Sequence, residues 1–368
     1  MRNALLCLLI LPVLSVGCAA PSETEDTLLE TPLSGLQEAP GETAVLRIIA
    51  DSCTTENQKI AATPIDIEAT PIPLWPRDKA DELPSGTRFV GGWVLTSSHQ
   101  GFGGLSGIDL LPDGNLLTVS DEGAFVSIDM SSDAPAGSGT FAYMHGPDGS
   151  YLRGKAEGDS EGLALNDGIA YVSFERRHRI EAFALEACGA AAQSVLISTL
   201  PNKIDGIGVH ENAGAEALAF NADTLQAGFE QVTNGRSAVV SLSDDPPSVE
   251  MLDPVASGYG GPLVGISNAL PTAADDGQKI TFVLRRQFNP VFGNRLSIEA
   301  RYSNADGYAL ADDGEPVLKL SPPMNVDNFE GVAAKLQPDG SYRLWLVSDN
   351  NFSPRQRTLL YAFDVTLP

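Results

Sequence analysis

Cysteine, histidine, basic charge and helical periodicity are all scarce in this 368-residue chain, and each scarcity excludes something. Of four cysteines, Cys7 lies inside an apolar leader and Cys18 ends it. Cys53 and Cys188 remain for the folded part, too far apart in sequence for a zinc knuckle or a CxxC redox site. In an oxidising compartment they could form a disulfide. Lys and Arg total 23 against 48 Asp and Glu, a formal charge of −25. Such acidity argues against nucleic acid or an anionic membrane surface as the main partner, and is compatible with divalent cations or with plain solubility. There is no GxSxG, GxxxxGK[ST], HExxH or EF-hand loop, and no cysteine followed five residues later by arginine. His99, His145, His178 and His210 have no ligand spacing among them. Only Asp223 to Gln231 reads as a short turn of helix.

What is present begins with a leader. Arg2 supplies charge, Leu5 to Val16 an apolar core too short to span a bilayer, and Gly17 precedes Cys18. Residues 1–17 read as a signal peptide. Leu14-Ser15-Val16-Gly17-Cys18 resembles a bacterial lipobox, with Ser15 where leucine is usual, so Cys18 is the expected lipidation site. Ala19 after it points to the outer membrane, facing the periplasm; an ordinary secretory signal on a soluble periplasmic or secreted protein is the alternative. Residues 18–60 read as an acidic tether, with Val45 to Ala50 as a candidate first strand, and 61–368 as the folded domain. Pro64 to Pro76 is proline-rich and expected to run extended over a surface.

The chain then repeats one hairpin. GFGGLSGIDLLPDGNLLTVSDEG from Gly101 gives an apolar strand, a Pro-Asp-Gly turn, a second strand and an acidic tip. Its equivalents are DSEGLALNDGIAYVSFE from Asp159, AGAEALAF from Ala213 and NFEGVAAKLQPDGSYRLWLVSDN from Asn328. Ser106 and Glu161 are 55 residues apart, Glu161 and Glu216 again 55, and Glu216 and Glu330 are 114 apart, twice 57. A hidden fourth member is therefore expected near residue 273, in PTAADDG before KITFVLRR. Each period accommodates four short antiparallel strands, the content of a propeller blade. The last period has only three, and Phe89 to Thr96 is the natural fourth, closing the ring. The spacing predicts five blades, with six as the alternative if Leu225 to Pro262 hides an extra sheet.

In such a ring Glu161, Glu216 and Glu330 face one another across the central channel. The second-strand tips add Asp121, Glu122, Glu175, Asp349 and Asn350. So many carboxylates need counter-charge. A hard cation such as Ca²⁺ takes oxygen ligands of this kind; Arg176, Arg177, Arg179, Arg285 and Arg286, which follow equivalent strands, could instead pair with them or grip an anion. A purely structural reading also stands: the glycine after each acid is needed where backbones crowd at the axis, and the acid bonds the next blade.

Together with FVLRRQFNPVFGNRLSI and the stretch running on to LLYAFDV, these segments resemble the bacterial phytase-like family described as "esterase-like activity of phytase", over roughly Phe89 to Pro368. The resemblance implies an exported β-propeller and ester hydrolysis. It carries acid-Gly/Ala positions onto Glu161, Glu216 and Glu330, and acid tips onto Asp121, Glu175 and Asp349. Relatives usually read Leu-Glu-Arg in the fourth repeat where this chain has Leu284-Arg285-Arg286. Loss of that glutamate puts activity in doubt, or Arg285 reverses the local charge.

The leading expectation is a calcium-assisted phosphoesterase or esterase, acting as a monomer on a small anionic substrate. Glu161, Glu216, Glu330 and Asp349 would serve as base or metal holders, Asp121, Glu122, Glu175 and Glu330 as metal ligands. Arg176, Arg179, Arg286 and Asn350 would hold substrate. A lipid-anchored, non-catalytic binding propeller is the rival, and a lactonase-type enzyme a third reading.

Overall fold

The computed structural model describes residues 42–53, 59–76, 83–221, 223–242, 246–269, 279–304, 307–310 and 314–367. The leader, Cys18 and most of the tether lie outside them. The described chain is a five-bladed β-propeller of antiparallel sheets. Its innermost strands, Leu105–Leu110, Ser160–Asn166, Ala215–Asn221, Leu263–Ala269 and Asn328–Leu336, each contact the next, and the fifth contacts the first. Two inward-facing stripes per blade supply core that packs between neighbouring sheets. Val126, Ile128 and Phe141 of blade one, for example, pack with Ala333, Val347 and Leu360 of blade five.

Closure follows the sequence expectation. Thr87–Thr96 pairs with Thr358–Val365 along its length, and Glu68–Pro71 adds a fifth strand to the same sheet. The proline-rich stretch is extended as its prolines dictate, but it also supplies edge strands: Thr63–Asp66 caps blade one. Proline is tolerated there because an edge strand leaves one side of its ladder unpaired.

Three local expectations are corrected. Val45 to Ala50 is not a strand but part of helix α1 (Glu42–Ser52). Val45, Ile48 and Ile49 recur at helical spacing; Val45 and Ile48 pack into the core between blades two and three, and Ile49 into the core between blades one and two. Ser52 fastens the helix by donating to the Gln193 carbonyl at 2.7 Å and accepting from the Ala184 amide. A disulfide between Cys53 and Cys188 (Cα–Cα 5.6 Å) ties the same end to blade two. Asp223 to Gln231 is not helical: Thr224–Thr233 is the second strand of blade three. The fourth repeat does not start near residue 273. Its innermost strand is Leu263–Ala269, KITFVLRR is the blade's second strand, and the PTAADDG turn falls outside the described residues.

Candidate active site

Every blade repeats one irregularity. The pairing of its two inner strands shifts register at Ser106-Gly107, Glu161-Gly162, Glu216, Val264 and Glu330. These are β-bulges, which bend a strand and re-aim a side chain. The glycine that follows is forced by the axis. A Cβ on Gly107 would lie 2.5 Å from the Leu163 amide nitrogen, and one on Gly331 would lie 2.3 Å from the Ser106 carbonyl oxygen. So the crowding reading explains the glycines. The acids are a separate matter.

A second ring lies at the tips of the second strands. Asp121, Glu175, Glu230 and Arg286 donate equivalent backbone N–H bonds to the carbonyls of Gly104, Asp159, Gly214 and Pro262, and Asp349 pairs with Asn328 at the same place. Blade four therefore departs twice: Val264 stands where others carry Glu or Ser, and Arg286 where others carry a carboxylate.

The two rings come together in one acidic centre. Oxygens of Asp159, Glu161 and Glu175 lie within 4.8 Å of one another, and so do oxygens of Glu175, Glu216 and Glu230. Burial, then the charges of Glu330, Glu175, Asp159 and Asp121, hold the Glu161 carboxyl well above the usual carboxylate range. Burial and Glu161, Glu230 and Glu175 do the same to Glu216. Glu175 is pushed up to about 7 by burial, against a hydrogen bond from the Gly214 amide. Glu175 and Glu216 carboxylate oxygens lie within 4.8 Å of each other, close enough for like-charge repulsion to favour a proton between them. Asp349 rises to about 8 through burial and the neighbouring Glu330, opposed by the Asn351 amide.

Counter-charge comes from three sides. Lys155, on a four-residue helix Gly154–Glu157, reaches Asp121 at 2.8 Å and Asp159 at 2.7 Å. Arg176 donates Nε to Asp159 at 3.1 Å. Arg286 reaches Glu330 at 2.5 Å, Glu230 at 3.3 Å and Asn328. Burial alone would lower the Arg286 pKa, but Glu330, Glu216 and Glu230 outweigh it and raise it. These cations leave Glu161, Glu175 and Glu216 without an ionic partner among the described residues. The Asp121 Oδ1 and Ser106 Oγ atoms are buried with no hydrogen-bond partner. An all-oxygen donor set in these groups, with no histidine or cysteine, suits a hard divalent cation better than a soft one. The residues present fit such a cation.

Several expected site residues stand elsewhere. Arg179 is buried, donates to Glu181 at 2.7 Å and lies 4.2 Å over the Phe174 ring, so it braces blade two and does not face the channel. Arg285 is also buried, bonded to Glu299 at 2.8 Å and Ser237 at 2.9 Å. It therefore does not reverse the channel's charge, and a glutamate lost at that position is not lost from the channel. Glu122 is exposed and outside both carboxylate groups. Asn350 accepts from the Gly104 amide at 2.9 Å, which fastens blade five to blade one. Arg177 pairs with Glu157 on the surface. His99 packs on Phe141 and His178 lies half-buried against Gly214. Sequence reasoning missed Asp159, Glu230 and Lys155. Two signals for them exist: a polar residue two places before the acid in Asp159-Ser160-Glu161 and Asn328-Phe329-Glu330, and the repeated Phe174-Glu175 and Phe229-Glu230.

Beside the channel, a cleft of about 1020 Å³ opens between blades four and five from Arg286 and Glu330. Arg355 and Arg357 are also among its lining residues.

No curated protein matches this sequence significantly. Among solved structures, the fold is similar to the PQQ-bound aldose sugar dehydrogenase from Streptomyces coelicolor, at 15% identity and TM-score 0.41, covering 77% of this chain and 100% of that one. It is similar also to the WD40 propeller domain of Doa1, at 10% identity and TM-score 0.36, covering 76% and 97%. A fructofuranosidase from Schwanniomyces occidentalis gives 10% identity and TM-score 0.43, covering 79% and 61%. The model of the Phytase-like family, esterase-like activity of phytase, matches residues 100–352, which span the acidic centre, and the chain belongs to that family.

Proposed function

We propose that the protein is a metal-assisted ester hydrolase, of phosphoric or carboxylic esters, acting on a small anionic substrate. The observation that carries this reading is the pair of three-carboxylate groups sharing Glu175, beside a cleft edged by Arg286. Glu161, Glu175 and Glu216, with Asp159 and Glu230, would hold a divalent cation such as calcium. Bound there, the cation would neutralise substrate oxygens and lower the pKa of an attacking water.

The chain's own residues supply the rest. Arg286 lies between the acidic centre and the cleft, where its guanidinium can turn from Glu330 toward a substrate anion. Asp349, with a pKa of about 8, keeps its proton at neutral pH and can give it to a leaving oxygen. Glu330, held by Arg286 and Asn328, sets the position of both neighbours. Lys155 holds Asp121 and Asp159 in place by charge. The Cys53–Cys188 disulfide supports an exported protein, and the sequence around Cys18 supports lipid anchorage facing the periplasm.

The test uses purified protein with calcium or with EGTA. Phosphate release from phytate and nitrophenyl phosphate, and nitrophenol release from its acetate, are followed for wild type and Glu216→Gln. Calcium-dependent turnover that the variant loses, by 100-fold or more, is expected. Equal, background-level rates in both proteins would remove the enzyme reading. A calcium-dependent rise in Tm without turnover would favour the non-catalytic binding propeller.

A further inference from the structure

The cleft beside the acidic centre is not merely cationic. Its lining also includes the apolar side chains of Phe288, Pro322 and Val326, with Phe288 two residues along the strand from Arg286. Phe288 belongs to the hairpin of Lys279–Asn289 and Gly293–Asn304, whose tip carries Phe288 68% exposed, Val291 82% and Phe292 56%. Three large apolar side chains in five residues, all in water, contribute nothing to the propeller's own core. Concentrations of that kind mark binding surfaces.

The charges in the cleft are nearly balanced. Arg286 is engaged with Glu330 and Glu230, and Arg357 with Asp327 at 3.2 Å. Arg355 forms no ion pair with a described residue. One anionic group therefore finds a cation ready for it. A polyanion would bring its further charges against Glu230, Asp327 and Glu330, in a chain of net charge −25. The volume suits one drug-sized ligand, and such pockets bind through apolar walls with a few polar groups fixing orientation.

We infer that the cleft selects an amphiphilic ester, with one anionic group at Arg355 and Arg286 and an aryl or alkyl body packed on Phe288. The inference rests on the hydrolase reading for its ester, but binding alone can test it. Calorimetry of the calcium-loaded full chain with two inert phosphonates, naphthylmethylphosphonate and methylphosphonate, separates the apolar from the anionic contribution. The aryl compound is expected to bind at least tenfold tighter. Phe288→Ser should reduce that advantage below threefold and leave methylphosphonate unchanged, and Arg355→Gln should weaken both compounds several-fold. Equal affinity for the two phosphonates in wild type, or inositol hexakisphosphate binding tighter than the aryl compound, overturns the inference. An aryl preference in a protein that hydrolyses nothing would uphold the cleft and reject the hydrolase.

Discussion

Glu161 and Glu216 show what a buried carboxyl does when it has neighbours of its own sign. Burial and mutual repulsion raise both, and carry Glu175 to about 7 and Asp349 to about 8. All lie above their unfolded values near 4, so the folded protein binds these protons more tightly than the unfolded one. The resulting destabilisation is largest above pH 8 and fades as pH falls toward 5. Calcium-free protein should therefore show a Tm that climbs on acidification from pH 8.5 to 5. Bound cation should flatten that profile, since it replaces the proton. A second residue-scale prediction concerns Arg286. Arg286→Gln leaves Glu330 and Glu230 without their buried partner and should cost about 3–5 kcal/mol in urea unfolding. The sequence disclosed Glu161, Glu216 and Glu330 because each precedes Gly or Ala at a repeated spacing. It concealed Glu230, which sits in a stretch, DTLQAGFEQ, whose composition reads equally as helix or strand. It misplaced Arg179, since one residue along a strand reverses the face and spacing alone does not say which face meets the channel.

At the scale of elements, the bulged inner strand is the unit that repeats, and its tolerance for side chains is set by the neighbouring blade. Gly107→Ala should cost about 1–3 kcal/mol, because the new methyl meets backbone atoms of Glu161 and Leu163 that cannot move without shifting blade two. Chemical denaturation measures it. Ala217 holds the equivalent place in blade three, so Ala217→Gly there should bring no comparable gain. The fourth blade shows why repeat arithmetic has limits. Val264 replaces the marker acid, and its separation from the neighbouring repeats is uneven because connections outside the sheets vary freely in length. Helix α1 escaped notice for another reason: Val45, Leu46, Ile48 and Ile49 crowd together, and a short apolar run does not distinguish strand from helix without the residues flanking it.

At the scale of the molecule, five blades, their order and their closure were legible, because strand count per period and the missing strand in the last period are properties of the whole chain. The helical form of α1 was not, although its anchor was: Cys53 and Cys188, the only two cysteines left for the folded part, meet across 135 residues. Replacing both cysteines with serine should lower stability by about 2–5 kcal/mol, the usual range for a disulfide that closes a long loop, read as a fall in Tm. The stitched fifth blade bears on synthesis. Its sheet joins Glu68–Pro71 and Thr87–Thr96 to strands that end at Val365, so the ribosome must deliver nearly the whole chain before those edges meet. Until then a nascent propeller carries two raw sheet edges. The interval between emergence of the first strand and of the last, whether from the ribosome or across the membrane, is when those open edges are exposed to wrong pairing.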